Sequence, residues 1–321
     1  MIVLLLGLAI NQRLALRRTR ERYPAPGKLV DVSGQRMHIH CAGSGSPSVI
    51  VDAGNACFSL EWMPIQEKLQ STTRVCVYDR AGYGWSEAGP APRGGAHAVA
   101  ELHDLLQAAG EPGPYVLVGH SLGGIHARMY AAHYSDEVAG LVLIDTAAEE
   151  DVSPELEQQM RASIGFDQMM RLLSGSGLLR ILGPLGGEQA MPETARKLPA
   201  ELREVYLQLL LDPQQYTTGI DEMAQLPQTL RQARDALAGQ PSLGDLPLIV
   251  LTAGQQMAPG STPFDDRHVP VEEDVIAAQG ALAALSSRGE QRVIESSGHQ
   301  VHLDAPEAVL AAIRDVVEMT R

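Results

Sequence analysis

Ser121 has the surroundings most suggestive of chemistry. It stands in Gly119-His120-Ser121-Leu122-Gly123, just after the apolar run Tyr115-Val116-Leu117-Val118 and just before a helical pattern in which Ile125, Met129 and Ala132 recur. A serine between strand and helix, with glycine two positions to either side, can occupy a turn too tight for flanking side chains. Such a turn lifts the hydroxyl above the sheet edge. The helix that follows points its amino end at the same spot, where it stabilises developing negative charge. A hydroxyl needs a base. His299, in Ser296-Ser297-Gly298-His299, follows the last strand-like run and precedes Asp304-Ala305-Pro306-Glu307, which opens a helix. A loop there can drop a neutral imidazole beside the serine to take its proton. The pair implies nucleophilic acyl chemistry, for which hydroxyl, imidazole and backbone amides suffice, so no cofactor and no metal is implied.

The elements that must position these groups are legible in the hydrophobic pattern. Beyond Pro24, Pro26 and Gly27, Leu29 to Val32 and Arg36 to Cys41 predict a hairpin across Ser33-Gly34. Val49 to Val51, Val75 to Tyr78, Tyr115 to Val118, Leu141 to Ile144, Leu248 to Leu251 and Val293 to Ile294 are continuous apolar runs, as in strands buried on both faces. Helical stripes lie between them: Val99, Leu102, Leu105 and Leu106, and later Val309, Ile313, Val316 and Val317. Alternation of this kind predicts an α/β domain with a mostly parallel, doubly wound sheet. After Ile144 roughly a hundred residues pass before the next strand, far more than a crossover needs. That insert is itself helical in pattern, with stripes at Leu156 and Met160, Met169 to Leu173, Leu178 to Leu182 and Leu202 to Leu211, broken by Pro184, Pro192, Pro213 and Pro227. The expected division is a core of residues 23–148 and 245–321, a helical cap over 149–244, and an N-terminal segment 1–22. A cap emerging at the carboxyl ends of the strands would cover the place where open α/β sheets bind ligands.

Composition narrows the function classes. The 321 residues are 45% hydrophobic, enough for a sizeable core, and carry a formal charge of −14, which opposes a nucleic-acid partner. Aromatic residues at 4% also argue against base-stacking platforms. Cys41, Cys57 and Cys76 are too scattered to suggest a disulfide framework or a zinc cluster, and Cys76 is expected as a buried thiol. Ile2 to Ile10 is almost wholly apolar and is followed by Arg13, Arg17, Arg18, Arg20 and Arg22. The stretch is short of the roughly 20 residues a spanning helix needs. It reads as a membrane anchor or as a helix packed on the domain, which leaves membrane association through residues 2–16, and membrane or cytoplasmic localisation, open.

Together these motifs resemble the α/β-hydrolase superfamily, in its lidded serine esterase-like branch, from Tyr23 to the end of the chain. The resemblance rests on Val51-Asp52-Ala53-Gly54-Asn55, Asp79-Arg80-Ala81-Gly82-Tyr83-Gly84-Trp85-Ser86, Gly119-His120-Ser121-Leu122-Gly123-Gly124, and Gly298-His299 followed by Asp304-Ala305-Pro306-Glu307. It implies an oxyanion hole from the backbone amides of Leu122 and Asn55. The loop that usually reads His-Gly is here Asp52-Ala53-Gly54, which keeps the glycine. The third member of a Ser-His-Asp triad usually follows the strand Leu248 to Leu251, but Thr252-Ala253-Gly254-Gln255-Gln256-Met257 holds no carboxylate. The resemblance therefore points to Asp145, after the sixth strand, with Asp265 or Asp266 as alternatives. A cap-of-helix role for Asp145 is the plain reading beside it.

The activity implied is cleavage of a carboxylic ester, including a lipophilic ester or lactone, through an acyl-enzyme. An acyltransferase, lyase or C–C bond hydrolase on the same site, or a binding relative without turnover, are the alternatives. The partner expected is a small-molecule acyl substrate. His38 and His40 share a strand face without further ligands nearby, His302 is expected to line the pocket or pack, and Asp79 and Arg80 to fix their loop through a charge-assisted contact. Met160, Met169, Met170, Met191 and Met223 are expected as cap core.

Overall fold

A computed structural model describes residues 2–148, 152, 154–238, 242–257 and 268–321. The strands are β1 (Lys28–Val32), β2 (Gln35–Ala42), β3 (Ser48–Asp52), β4 (Val75–Tyr78), β5 (Tyr115–His120), β6 (Val138–Ile144), β7 (Leu248–Ala253), β8 (Gln255–Met257), β9 (His268–Pro270) and β10 (Gly289–Ile294). Eight of them form one sheet in the order β1-β2-β4-β3-β5-β6-β7-β10, parallel except that β2 runs against both of its neighbours. The β1–β2 hairpin turns at Ser33 and Gly34, both at positive φ, as a two-residue turn requires.

The apolar runs behave as a doubly covered sheet demands. Ile50, Cys76, Leu117, Leu143 and Val250 join the core under helices α3 (Gly95–Ala109) and α4 (Leu122–His133). Their neighbours Val51, Val77, Val118, Ile144 and Leu251 join the opposite core, under α2 (Met63–Leu69) and α12 (Pro306–Met319). Successive residues thus alternate between two dry layers, so neither face can be polar. The remaining helices are α1 (Ile2–Arg22), α5 (Pro154–Gly175), α6 (Leu178–Leu182), α7 (Glu193–Lys197), α8 (Ala200–Leu209), α9 (Pro213–Ala238), α10 (Glu273–Ala283) and α11 (Val301–Asp304). Helices α5 to α9 form the helical cap inserted between β6 and β7.

Three expectations need correcting. Cys41 and Cys76 form a disulfide. They lie 35 residues apart in sequence but directly opposite each other across antiparallel β2 and β4, so strand register supplies the proximity that spacing hides. Pro227 does not end a helix, because α9 runs through it from Pro213 to Ala238. Its buried face, including Thr229, Leu230 and Ala233, is held by tertiary packing that outweighs one lost backbone hydrogen bond. Met160 is buried, but Met169 is half exposed and so is not core.

Helix α1 packs on the cap: Gln12 Nε2 donates to the Leu211 carbonyl at 2.6 Å, and Arg20 and Arg22 pair with Asp212 and Glu204. No helix among the described residues is long and apolar enough to cross a membrane.

A buried ionic network fastens the cap to the core. Arg80, in the loop after β4, donates from Nε and Nη2 to Glu222 of α9 at 2.8 and 3.0 Å, and from Nη1 to Asp52 at 2.7 Å. Its Nη2 also reaches the Gly54 carbonyl at 2.7 Å, and Asp52 in turn meets His126 Nδ1 at 3.1 Å. Tyr83 Oη and Asn55 Nδ2 donate to Glu222 as well. Burial alone would raise both carboxyls, yet the guanidinium holds Asp52 and Glu222 below the usual carboxylate range. Asp79 is separately engaged, accepting from the Ser59 and Trp85 amides and meeting His38 Nδ1 at 2.8 Å. Removing one partner of a buried ion pair strands the other charge. Glu222→Ala is therefore expected to lower unfolding free energy by roughly 3–5 kcal/mol in urea titration, and a loss within experimental scatter would contradict the role given to this network.

Candidate functional site

The carboxyl ends of β3, β5, β6 and β7 meet at one edge of the sheet, and strand register decides what meets there. Asp52 pairs with Gly119 and His120 with Ile144, so the residues that follow β5 and β6, Ser121 and Asp145, emerge side by side. Ser121 has φ 53° and ψ −120°, a left-handed conformation costly for a residue with a Cβ. The turn is held by Ser121 N–H donating to Ile144 O at 2.9 Å and by Thr146 Oγ1 donating to Ser121 O at 2.7 Å. Glycine is required on both sides: a Cβ at Gly119 would stand 2.4 Å from the Gly123 carbonyl, and one at Gly123 2.2 Å from the Asp52 carbonyl.

His299 lies between β10 and α11, and its Nδ1 is 2.6 Å from Asp145 Oδ2. Asp145 is itself at positive φ, 42°, with its amide bonded to Leu251 O at 2.8 Å. Its other oxygen, Oδ1, accepts from Gln279 Nε2 at 2.8 Å and from the Ala253 amide at 3.2 Å. Burial would raise this carboxyl, but the bond to His299, its charge, and the Gln279 and Ala253 donors bring it below the usual range. Desolvation pulls the His299 imidazole down, whereas the hydrogen bond to Asp145 and its charge outweigh that and leave it raised. An ionised Asp145 accepts a hydrogen bond from Nδ1–H, which keeps the proton on that nitrogen, so the free lone pair of neutral His299 sits on Nε2.

One cavity of about 510 Å³ is lined by Ser121, Leu122, Asn55, Asp145 and His299 together. Its wall towards the cap is mostly apolar, with Leu156, Met160, Met223, Leu226 and Leu230. Leu122 opens α4, so its amide has no acceptor inside the helix. The Asn55 side chain is turned away to Glu222 Oε2 and Gly219 O, each 3.2 Å away. Gly54 permits the loop's approach, since a Cβ there would meet His120 Nδ1 at 3.0 Å and Ser121 Cβ at 3.2 Å.

The other candidate residues lie elsewhere. Asp265 and Asp266 fall outside the described residues. Asp145 precedes α5 by several residues and caps no described helix. His302 is buried, stacks on Trp62 at 4.2 Å, and burial pushes it down to about 3. Among the described residues, the only grouping of three potential metal ligands is Cys41, Cys76 and Glu111, and two of these are joined as a disulfide.

Three contributors went unnoticed in the sequence. Gln279 of α10 orients Asp145, and Glu222 holds the Asn55 loop. His120 places Nε2 2.8 Å from the His299 carbonyl, and burial together with the neighbouring His299 and His302 keeps it well below the ordinary imidazole range. It is therefore neutral and donates to that carbonyl, tying the His299 loop to the turn that carries Ser121. Only His120 carried a usable signal, its place inside the Gly-x-Ser-x-Gly segment. Gln279 and Glu222 sit in ordinary amphipathic helices and become visible through packing alone.

The chain is 24% identical over 290 residues to the Bacillus subtilis protein YqjL, covering 90% of this chain and 91% of that one. A Schizosaccharomyces pombe protein is 32% identical over 154 residues, 39% of this chain and 29% of the fungal protein, so the similarity spans under a third of that relative. Among solved structures, an esterase from Thermogutta terrifontis superposes with a TM-score of 0.63 at 23% identity, over 91% of this chain and 97% of the esterase. At residues 47–234 the sequence matches the family described as alpha/beta hydrolase fold. With that match joined to the strand order and the tight turn at Ser121, the chain belongs to the α/β-hydrolase fold family.

Proposed function

We propose that this protein is a serine hydrolase that cleaves a carboxylic ester, including a lipophilic ester or lactone, through an acyl-enzyme. In this reading Ser121 is the nucleophile, His299 the base, Asp145 the group that orients and charges the imidazole, and the Leu122 and Asn55 amides the oxyanion donors. The observation that carries it is the 2.6 Å contact between His299 Nδ1 and Asp145 in the cavity that also holds the strained Ser121 turn.

The chemistry follows from those groups. His299 Nε2 takes the Ser121 proton as Oγ attacks the acyl carbon, and the resulting imidazolium is stabilised by Asp145. The oxyanion is met by two amides held by rigid backbone, each worth about 3 kcal/mol of barrier by analogy with donor deletions in other enzymes. Proton transfer from Nε2 to the leaving alcohol completes acylation, and water attacks the acyl-enzyme by the same route. The lipophilic substrate class is supported by the apolar wall of Leu156, Met160, Met223, Leu226 and Leu230.

A fluorophosphonate probe is expected to label the wild-type protein and not Ser121→Ala, whereas an unlabelled wild type would favour a binding protein without turnover. Asp145→Asn is expected to lower kcat roughly 10⁴-fold, since the imidazole loses both its tautomer and its counter-charge. The base must be neutral to act, so kcat/KM rises with pH as His299 loses its proton. Because Asp145 raises that imidazole, the acid limb should lie above the ordinary histidine value and shift to lower pH in Asp145→Asn. A limb that stays put in the variant would sever the proposed link. Across p-nitrophenyl esters of increasing length, octanoate should outperform acetate in kcat/KM, and the reverse order would remove the lipophilic assignment.

A further inference from the structure

The outer face of α1 and the adjoining cap surface combine two features seldom left together on a protein surface. Large apolar side chains stand in solvent there: Ile10 and Leu14 on α1, Leu172 near the end of α5, Ile181 and Leu182 on α6, and Leu185 in the following 3-10 stretch Gly183–Ala190. Leu172 and Leu185 are 68% and 79% exposed. Exposed leucines scattered singly mean little, but these lie on neighbouring elements. Arg180, within α6, donates from Nε to Gln12 of α1 at 3.0 Å, and Gly177 comes so near α1 that a Cβ would stand 3.1 Å from the Leu8 carbonyl. Large apolar side chains exposed together on adjoining elements mark a candidate interaction face.

Charge selects the partner. In a chain of net charge −14, α1 carries Arg13, Arg17, Arg18, Arg20 and Arg22 against one acidic residue, Glu21. Arg20 and Arg22 are paired with Asp212 and Glu204, whereas Arg13, Arg17 and Arg18 are exposed and have no carboxylate partner among the described residues. Ile10, Arg13, Leu14 and Arg17 follow the spacing of one helical face, opposite the buried Gln12 and Thr19 that seat the helix on the cap. Leucines beside unpaired arginines match a surface with hydrocarbon just beneath anionic headgroups. A nucleic acid would use the arginines and leave the leucines in water, and a second copy meeting this face through a two-fold contact would set like-charged arginines against one another.

We propose that this face, built from α1 and the α5–α6 side of the cap, docks the protein on the surface of an anionic lipid bilayer without crossing it. The apolar side chains enter the headgroup boundary, and Arg13, Arg17 and Arg18 pair with lipid phosphate and carboxylate. This inference does not depend on the proposed hydrolase activity.

The test is co-sedimentation of the full chain with vesicles of phosphatidylcholine alone and of phosphatidylcholine mixed with phosphatidylserine. Binding is expected to the mixed vesicles only and to weaken as salt rises. It should fall roughly 100-fold when Arg13, Arg17 and Arg18 are all changed to Gln, by analogy with other basic surfaces. Leu172→Ser combined with Leu185→Ser, both largely exposed to solvent and so expected to leave the thermal melt unchanged, should weaken it independently. No binding to mixed vesicles would overturn the proposal, as would equal binding to both vesicle types. Concentration-dependent dimerisation that is lost in the leucine variant, without vesicle binding, would also overturn it by assigning the face to a second copy.

Discussion

The hydrogen bond between His299 Nδ1 and Asp145 is the constraint around which the site is organised. It joins two residues 154 positions apart, one from the turn after β6 and one from the loop after β10, strands that flank β7 on either side. An imidazole left alone in this cavity would be pulled down by desolvation and free to rotate. The carboxylate reverses the first effect and, by accepting the hydrogen bond from Nδ1–H, restricts the second.

The surrounding backbone is shaped to maintain that contact. Ser121 and Asp145 both adopt positive φ, and both are held there by strand-end hydrogen bonds to Ile144 and Leu251. Such conformations persist where neighbouring structure over-determines them. Around them, Gly119 and Gly123 let backbone segments approach within distances that any side chain would prevent, and Gly54 keeps the loop after β3 close against His120 and Ser121. Behind the loop after β3, Arg80 joins Asp52 to Glu222, so the segment carrying Asn55 is fixed from the core side and the cap side at once. Cap seating and the geometry of that loop are thus one electrostatic arrangement.

Much of this was legible from residue order. The alternating apolar runs announced a doubly covered sheet because burial on both faces leaves no polar position, and the glycines around Ser121 announced a turn because close approach permits nothing larger. His299 could be singled out by its place after the last strand. Asp145 was less visible: it emerged from the lack of a carboxylate after β7 and from resemblance, while its contact depends on how β6 and β10 are spaced across β7. The Cys41–Cys76 bridge escaped because sequence separation says nothing of cross-strand register. Glu222 and Gln279 escaped because a buried polar side chain and a solvated one look alike in a helical stripe.

The proposed chemistry requires Ser121 to form a covalent bond to the acyl group. Mixing the protein with a slowly hydrolysed ester, quenching in acid and mapping the acyl mass by peptide mass spectrometry tests this directly. The expected result is one acyl group on the peptide that contains Ser121, at Ser121 itself. Turnover of the ester with the acyl group on another residue, or with none trapped even when deacylation is slowed, would contradict it.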